Sequence, residues 1–198
     1  MLKTIIKGAT IAAIVSMGST AYAGGHAKAW TLDSENSKVA FGSIKKEKVG
    51  EIHSFETISG TVSAKGEVSI DIDLASVQTN IDIRNERMIE HVFKGAATAN
   101  LSATVDMEEI AHMEAGAMSI VDVEGVLSFL GQSIEVETEM FVARIADDKA
   151  VVTTNDMIFI GSEDVGINDG VTKLMELAKL PGITRTSPVT LRLVFNTK

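Results

Sequence analysis

Cysteine is absent from the chain, and several kinds of chemistry go with it. Disulfide staples, thiolate metal sites, thiol nucleophiles and a lipid-modified N-terminal cysteine are all excluded. Positive charge is also scarce: 18 Lys and Arg face 27 Asp and Glu, a formal net charge of −9. An acidic surface of this kind repels nucleic acid and anionic lipid headgroups. The single basic run, Lys45, Lys46 and Lys48, reads as a solvated turn or strand end.

Long apolar runs are missing as well. The longest lies at the start, over residues 9–17, and falls short of the roughly 20 residues a membrane helix needs. Lys3 and Lys7 precede it, and Ala21-Tyr22-Ala23 follows it as a small-residue cleavage signal. Residues 1–23 therefore read as a secretory signal peptide cut after Ala23, with a retained interfacial anchor as the alternative. Cleavage leaves 175 of the 198 residues and removes two lysines, taking the net charge to −11. A chain of that length suits one domain, residues 24–198, exported to the periplasm and large enough to stand without disulfides.

Catalytic signatures are wanting too. No G-x-S-x-G elbow, P-loop, G-x-G-x-x-G or H-E-x-x-H occurs. The four histidines, His26, His53, His91 and His112, have no spacing that would place two on one face of an element. Glu109 and His112 have E-x-x-H spacing, half of a carboxylate metal motif, but their surroundings read as strand and loop. No catalytic residue, metal site or cofactor is assigned.

What the chain does have is alternation. Val68, Ile70, Ile72 and Leu74 alternate with polar or small residues, as a strand with one buried face requires. The same period appears over 101–107, 121–129, 134–142, 150–160 and 189–195. Earlier extended stretches are expected over 30–41, broken by turn formers at 34–37, and over 49–62. Turns are expected at Gly95, Gly131-Gln132 and Asp147-Asp148, and Glu135, Glu137 and Glu139 share a solvent face. In the last strand Thr190, Arg192 and Val194 are placed on the outer face.

Two segments break this period. Asn85, Met88, Ile89 and Val92 fall on one side of a helix over 82–93, with Asp82 as its cap. Val171, Leu174, Met175 and Ala178 predict a second helix, capped by Asp169 and stopped by Pro181-Gly182. Many short strands, two short helices and no parallel crossover pattern predict a mainly β fold, an antiparallel barrel or sandwich. An eight-stranded barrel has room either for side chains or for one small ligand.

Particular residues carry a family resemblance. Ser76-Val77-Gln78-Thr79 leads into IDIRNERM, residues 81–88, and a short segment closing on Phe93. With Trp30-Thr31-Leu32-Asp33, Ser59-Gly60-Thr61-Val62, the run from Val123 to Gly131 and the closing ELAKLPGITRTSPVTLRLVF, the chain resembles the YceI family of periplasmic polyisoprenoid-binding proteins. The resemblance implies a single lipocalin-like β-barrel of about eight strands. It also implies a carrier holding a long isoprenoid or related lipid, of quinone or polyprenyl type. Two positions depart from the family pattern: Asn36 stands where relatives have His, and Val165 where Phe is expected.

The lining expected on this view is Phe41, Met88, Val92, Phe93, Leu127, Phe129, Met140 and Leu191, an apolar set suited to a flexible tail. Arg84 has two readings: pairing with Asp82 or Glu90 to pin the helix, or binding a ligand's polar head at the pocket mouth beside Asn85. An enzyme acting on an apolar substrate through Arg84, Glu86 or a histidine, and a solid barrel serving as an interaction module, are the alternatives to a carrier. No integral membrane span and no nucleic-acid partner are expected, and a homodimer stays open.

Overall fold

The computed structural model describes residues 28–197. The proposed signal segment with its cleavage point and His26 lie outside the described residues, as does the side chain of Glu109.

The chain is mainly β. Its strands are β1 (Trp30–Leu32), β2 (Lys38–Lys45), β3 (Val49–Phe55), β4 (Ile58–Val62), β5 (Glu67–Asp73), β6 (Val77–Gln78), β7 (Thr98–Thr104), β8 (Met118–Phe129), β9 (Gln132–Ala146), β10 (Lys149–Thr154), β11 (Ile158–Gly161) and β12 (Thr186–Thr197). The order β1-β4-β5-β7-β8-β9-β10-β12 closes on itself, because β12 also pairs with β1, giving an antiparallel barrel of eight strands. Closure removes most of the free edges a strand-rich chain would otherwise expose, although β11 pairs on one side only, with β12.

Several strands are broken midway, and the breaks make the two ends of the barrel unlike. At the narrow end β12 is flanked by β1 and β10; towards the other end β2 and β11 replace them, through Phe41↔Val189 and Ile158↔Val189. β3 and β4 are separated at Glu56 and Thr57, whose N–H groups donate to the Ser76 carbonyl and hydroxyl at 3.1 and 3.0 Å. The interruption expected at 34–37 is present, and it folds over the outer face of β12. Ser37 Oγ accepts from the Val194 N–H at 2.9 Å, so Val194 is buried rather than exposed as its alternation suggested.

Two helical segments cap the wide end. α1 (Asp82–Arg87) runs into a wider π-type turn, Met88–Val92. Its cap position is Ile81, with Asp82 already inside the first turn, so the expected Asp82 cap is not made. Asn85 instead accepts from the Thr79 N–H at 2.9 Å, tying the helix back to the strand before it. α2 (Met107–Ala111) begins where the strand pattern was read to continue. Asp106 accepts from the Glu108 N–H at 2.8 Å and caps a short turn, so β7 stops at Thr104.

α3 (Asn168–Ala178) is likewise preceded by Ile167 without a side-chain cap, and Asp169 lies in its first turn. It ends in a left-handed Lys179, two residues before Pro181. α3 packs on the π-type turn through Gly170, where a Cβ would meet the His91 carbonyl at 2.4 Å. Only glycine allows that approach.

The β8–β9 hairpin turns on Leu130 and Gly131, both at positive φ (49° and 79°), one residue earlier than expected. Glu135, Glu137 and Glu139 are exposed along β9, while Ile134, Val136, Thr138 and Met140 face inward. Core side chains such as Trp30, Ile70, Leu193 and Phe195 are buried towards the narrow end, each stabilising by roughly 1.5–3 kcal/mol when fully buried.

Candidate functional site

The wide half of the barrel is hollow. A cavity of about 480 Å³ lies between the strands and the helical caps, and a smaller one of about 120 Å³ continues towards the narrow end. The inward positions of β2, β3, β8 and β12 form one wall of the larger cavity, and Met88, Val92, Val171 and Leu174 from the caps form another. The interior is therefore not packed solid.

The structure places Phe41, Arg84, Met88, Val92, Phe93, Leu127, Phe129 and Leu191 around the larger cavity. Met140 lines the smaller one instead, because it sits deeper along β9 opposite Thr154. Val165, one of the two departures from the family pattern, is buried against the larger cavity. Asn36 is remote from it and donates its amide to Asp33 at 2.9 Å. Asn85 and Glu86 are not among the lining residues.

Aromatic rings run through this space in series. His53, Phe41, Phe55, Phe93 and Phe129 follow one another at centroid distances of 5.2, 5.3, 5.9 and 6.0 Å. Each step is within the range over which aromatic pairs attract.

One side of the cavity is polar. Glu51 joins Lys45 Nζ at 2.7 Å and Arg84 Nη1 at 2.8 Å, and Arg84 Nη2 donates to the Thr79 carbonyl at 2.5 Å. Arg84 thus pairs across to β3, not with Asp82 or Glu90 on its own helix. Lys45 turns inward to this cluster, whereas Lys46 and Lys48 are exposed as expected of a turn. Glu51 is partly buried, which opposes its ionisation, but the hydrogen bonds from Arg84 and Lys45 outweigh that and hold its carboxyl below the usual range.

His53 sits beside this cluster, 5% exposed, with Nε2 3.1 Å from Ser43 Oγ. Burial, then the positive charge of Arg84, pushes its pKa down to about 4, so the ring is neutral at ordinary pH. His53 Nδ1 and Arg84 Nε are buried with no hydrogen-bond partner among the described residues. A serine and a histidine in contact suggest nucleophile activation, yet the ring nitrogen that would need an orienting carboxylate has none. Sequence reading passed over Ser43 and Glu51 and named His53 only as one of four histidines without a partner; the signal available was their alternation with Phe41 and Phe55 on the inner faces of β2 and β3.

Among the described residues no group of three potential metal ligands comes together, and no helix is long and apolar enough to cross a membrane. His112, half of the E-x-x-H spacing, is exposed at the end of α2.

No curated protein matches the chain. Among solved structures, a polyisoprenoid-binding domain from Saccharophagus degradans is similar at 33% identity and a TM-score of 0.85, covering 86% of this chain and 99% of that one. Burkholderia cenocepacia BcnA shares the fold at 15% identity and a TM-score of 0.60, covering 82% of this chain and 98% of that one. The sequence model of the YceI-like domain matches residues 30–195, nearly the whole described barrel. The chain belongs to the YceI-like family.

Proposed function

We propose that the protein is a periplasmic carrier that holds an isoprenoid lipid inside the barrel, with the tail among the phenylalanines and the polar end near Arg84. The observation that carries this reading is the hollow wide half, walled by Phe41, Phe93, Leu127 and Phe129, with the charged Lys45–Glu51–Arg84 cluster on one side. Each methylene buried there contributes about 0.8 kcal/mol, so a long tail is held without a charged anchor. The similarity to a polyisoprenoid-binding domain supports the ligand class. Export is supported by the N-terminal segment that reads as a signal peptide. Binding rather than turnover is favoured by the unpartnered Nδ1 of His53. The nine residues named from the sequence, Met140 included, are proposed to contact the ligand.

The chain's single tryptophan, Trp30, lines the smaller cavity and provides the test. Titration with geranylgeraniol or a short-tailed quinone is expected to change its emission saturably, at one ligand per chain. An unchanged spectrum, with no ligand retained on gel filtration, contradicts the carrier reading.

A further inference from the structure

The larger cavity opens between three segments. Ile81 and Ile83 come from the start of α1, Lys45 from the β2–β3 hairpin, and Leu180 and Ile183 from the connection between α3 and β12; all of them line the cavity. The hairpin is tied to that connection. The Lys46 N–H donates to the Gly182 carbonyl and the Thr184 N–H to the Ile44 carbonyl, each at 3.0 Å.

Apolar side chains stand in solvent around this opening. Ile81 and Ile83 are 44% and 51% exposed although they line the cavity. On the hairpin Val49 lies opposite Lys45, and Ile52 is diagonal to Ile44 on the outer face of the pair; all three are exposed, Ile52 by 75%. Apolar residues grouped in this way on a surface mark a site of interaction.

The charge at this end also departs from that of the chain. Over residues 45–51, 81–87 and 178–184 basic residues outnumber acidic ones six to four, whereas the whole chain has 18 against 27. Glu51 is held by Lys45 and Arg84, while Lys46, Lys48, Arg87 and Lys179 make no ion pair among the described residues. Carboxylates gather elsewhere, as on β8 and β9, where Asp122 stands opposite Glu139 and Glu124 opposite Glu137. The net charge repels an anionic surface, but its distribution turns the mouth towards one.

Composition decides between partners. Protein interfaces are enriched in aromatic residues and poor in lysine, and these three segments hold lysines and no aromatic residue. Aliphatic side chains beside lysines suit the boundary of a negatively charged bilayer. A protein seated there would also shut the opening, whereas a bilayer presents hydrocarbon to it.

We propose that the rim of the cavity mouth is a docking surface for an anionic lipid bilayer, with Ile52, Ile81 and Ile83 entering the headgroup layer and Lys46, Lys48 and Lys179 meeting lipid phosphates. It rests on the carrier reading for its purpose, which is to load and unload the cavity without passing the ligand through water.

Cosedimentation with phosphatidylglycerol vesicles at low salt tests docking with no isoprenoid present. Binding is expected to exceed that to phosphatidylcholine vesicles, and to weaken by about tenfold in Ile52→Asp and in the double variant Lys46→Glu, Lys48→Glu. Ile52→Asp is expected to keep its thermal midpoint and its retention of geranylgeraniol. An environment-sensitive thiol probe at Ile52→Cys is expected to shift to the blue on these vesicles, and one at Met118→Cys, at the narrow end, to stay unchanged; the chain has no other cysteine. Undiminished binding by both charge-changing variants, or a shift at Met118→Cys in place of Ile52→Cys, overturns the inference. So does wild-type protein that ignores the vesicles, and a concentration-dependent dimer lost in Ile52→Asp would then assign the rim to a second copy of the chain. Geranylgeraniol retention by the wild type is measured in parallel, so that failure of the carrier reading and failure of the docking surface are read apart.

Discussion

Arg84 in α1 and Glu51 in β3, 33 positions apart in sequence, meet at 2.8 Å beside the cavity. The pair fixes the helical cap to the barrel and polarises one wall of an otherwise apolar space. Both partners are mostly buried, so neither is well solvated when the other is removed.

Replacing Arg84 with Met is therefore expected to destabilise by roughly 1–3 kcal/mol, chiefly by leaving Glu51 with Lys45 alone. Adding Glu51→Gln is expected to recover part of that loss. Urea unfolding of the two single variants and the double variant measures the coupling; strictly additive effects would show that the contact contributes nothing of its own.

Stability is expected to fall in mild acid because of His53. Its pKa is about 4 in the fold against about 6.5 unfolded. The unfolded chain thus takes up a proton first, so the stabilisation is present above pH 6.5 and is lost as pH falls towards 4. Between pH 7 and pH 4.5 the loss from this group is about 2–3 kcal/mol. His53→Gln should flatten that part of the pH profile; an unchanged profile contradicts the assignment.

Gly170 lets α3 rest on the π-type turn that delivers Met88 and Val92 to the cavity. Gly170→Ala gains helix propensity but forces its Cβ against the His91 carbonyl at 2.4 Å. The second effect is expected to win, costing about 1–3 kcal/mol, as a lowered urea midpoint at unchanged m-value. A stabilised variant would mean that the caps shift freely.

Leu127 lies on the cavity wall and is paired in register with Leu101 and Ile134. Leu127→Trp is expected to fill part of the space, weakening geranylgeraniol binding by about tenfold while stability changes by less than about 1.5 kcal/mol. Isothermal titration and thermal unfolding read the two quantities separately.

Much of the architecture was legible because alternation is a local property. Ile70 and Ile72 in β5, and the glutamates of β9, declare their faces without knowledge of their partners. Helix starts were less legible: Asp82 and Asp169 read as caps but lie inside their first turns, while Asp106, in a stretch read as strand, is the one that caps. At the other two helices the cap position is an isoleucine, Ile81 or Ile167, whose backbone begins the turn. The Arg84–Glu51 contact depends on where α1 settles against β3, 33 positions away in sequence, and no local period encodes that. Val194 shows the same limit, since its outward face is covered by a turn more than 150 residues away.

The most direct measurement is mass spectrometry of an organic extract of the protein, taken from native periplasm and denatured. A long-chain isoprenoid or isoprenoid quinone at about one per chain is the result expected of a carrier with this cavity. An extract without lipid, from protein that also fails to take up added polyprenols, would contradict it.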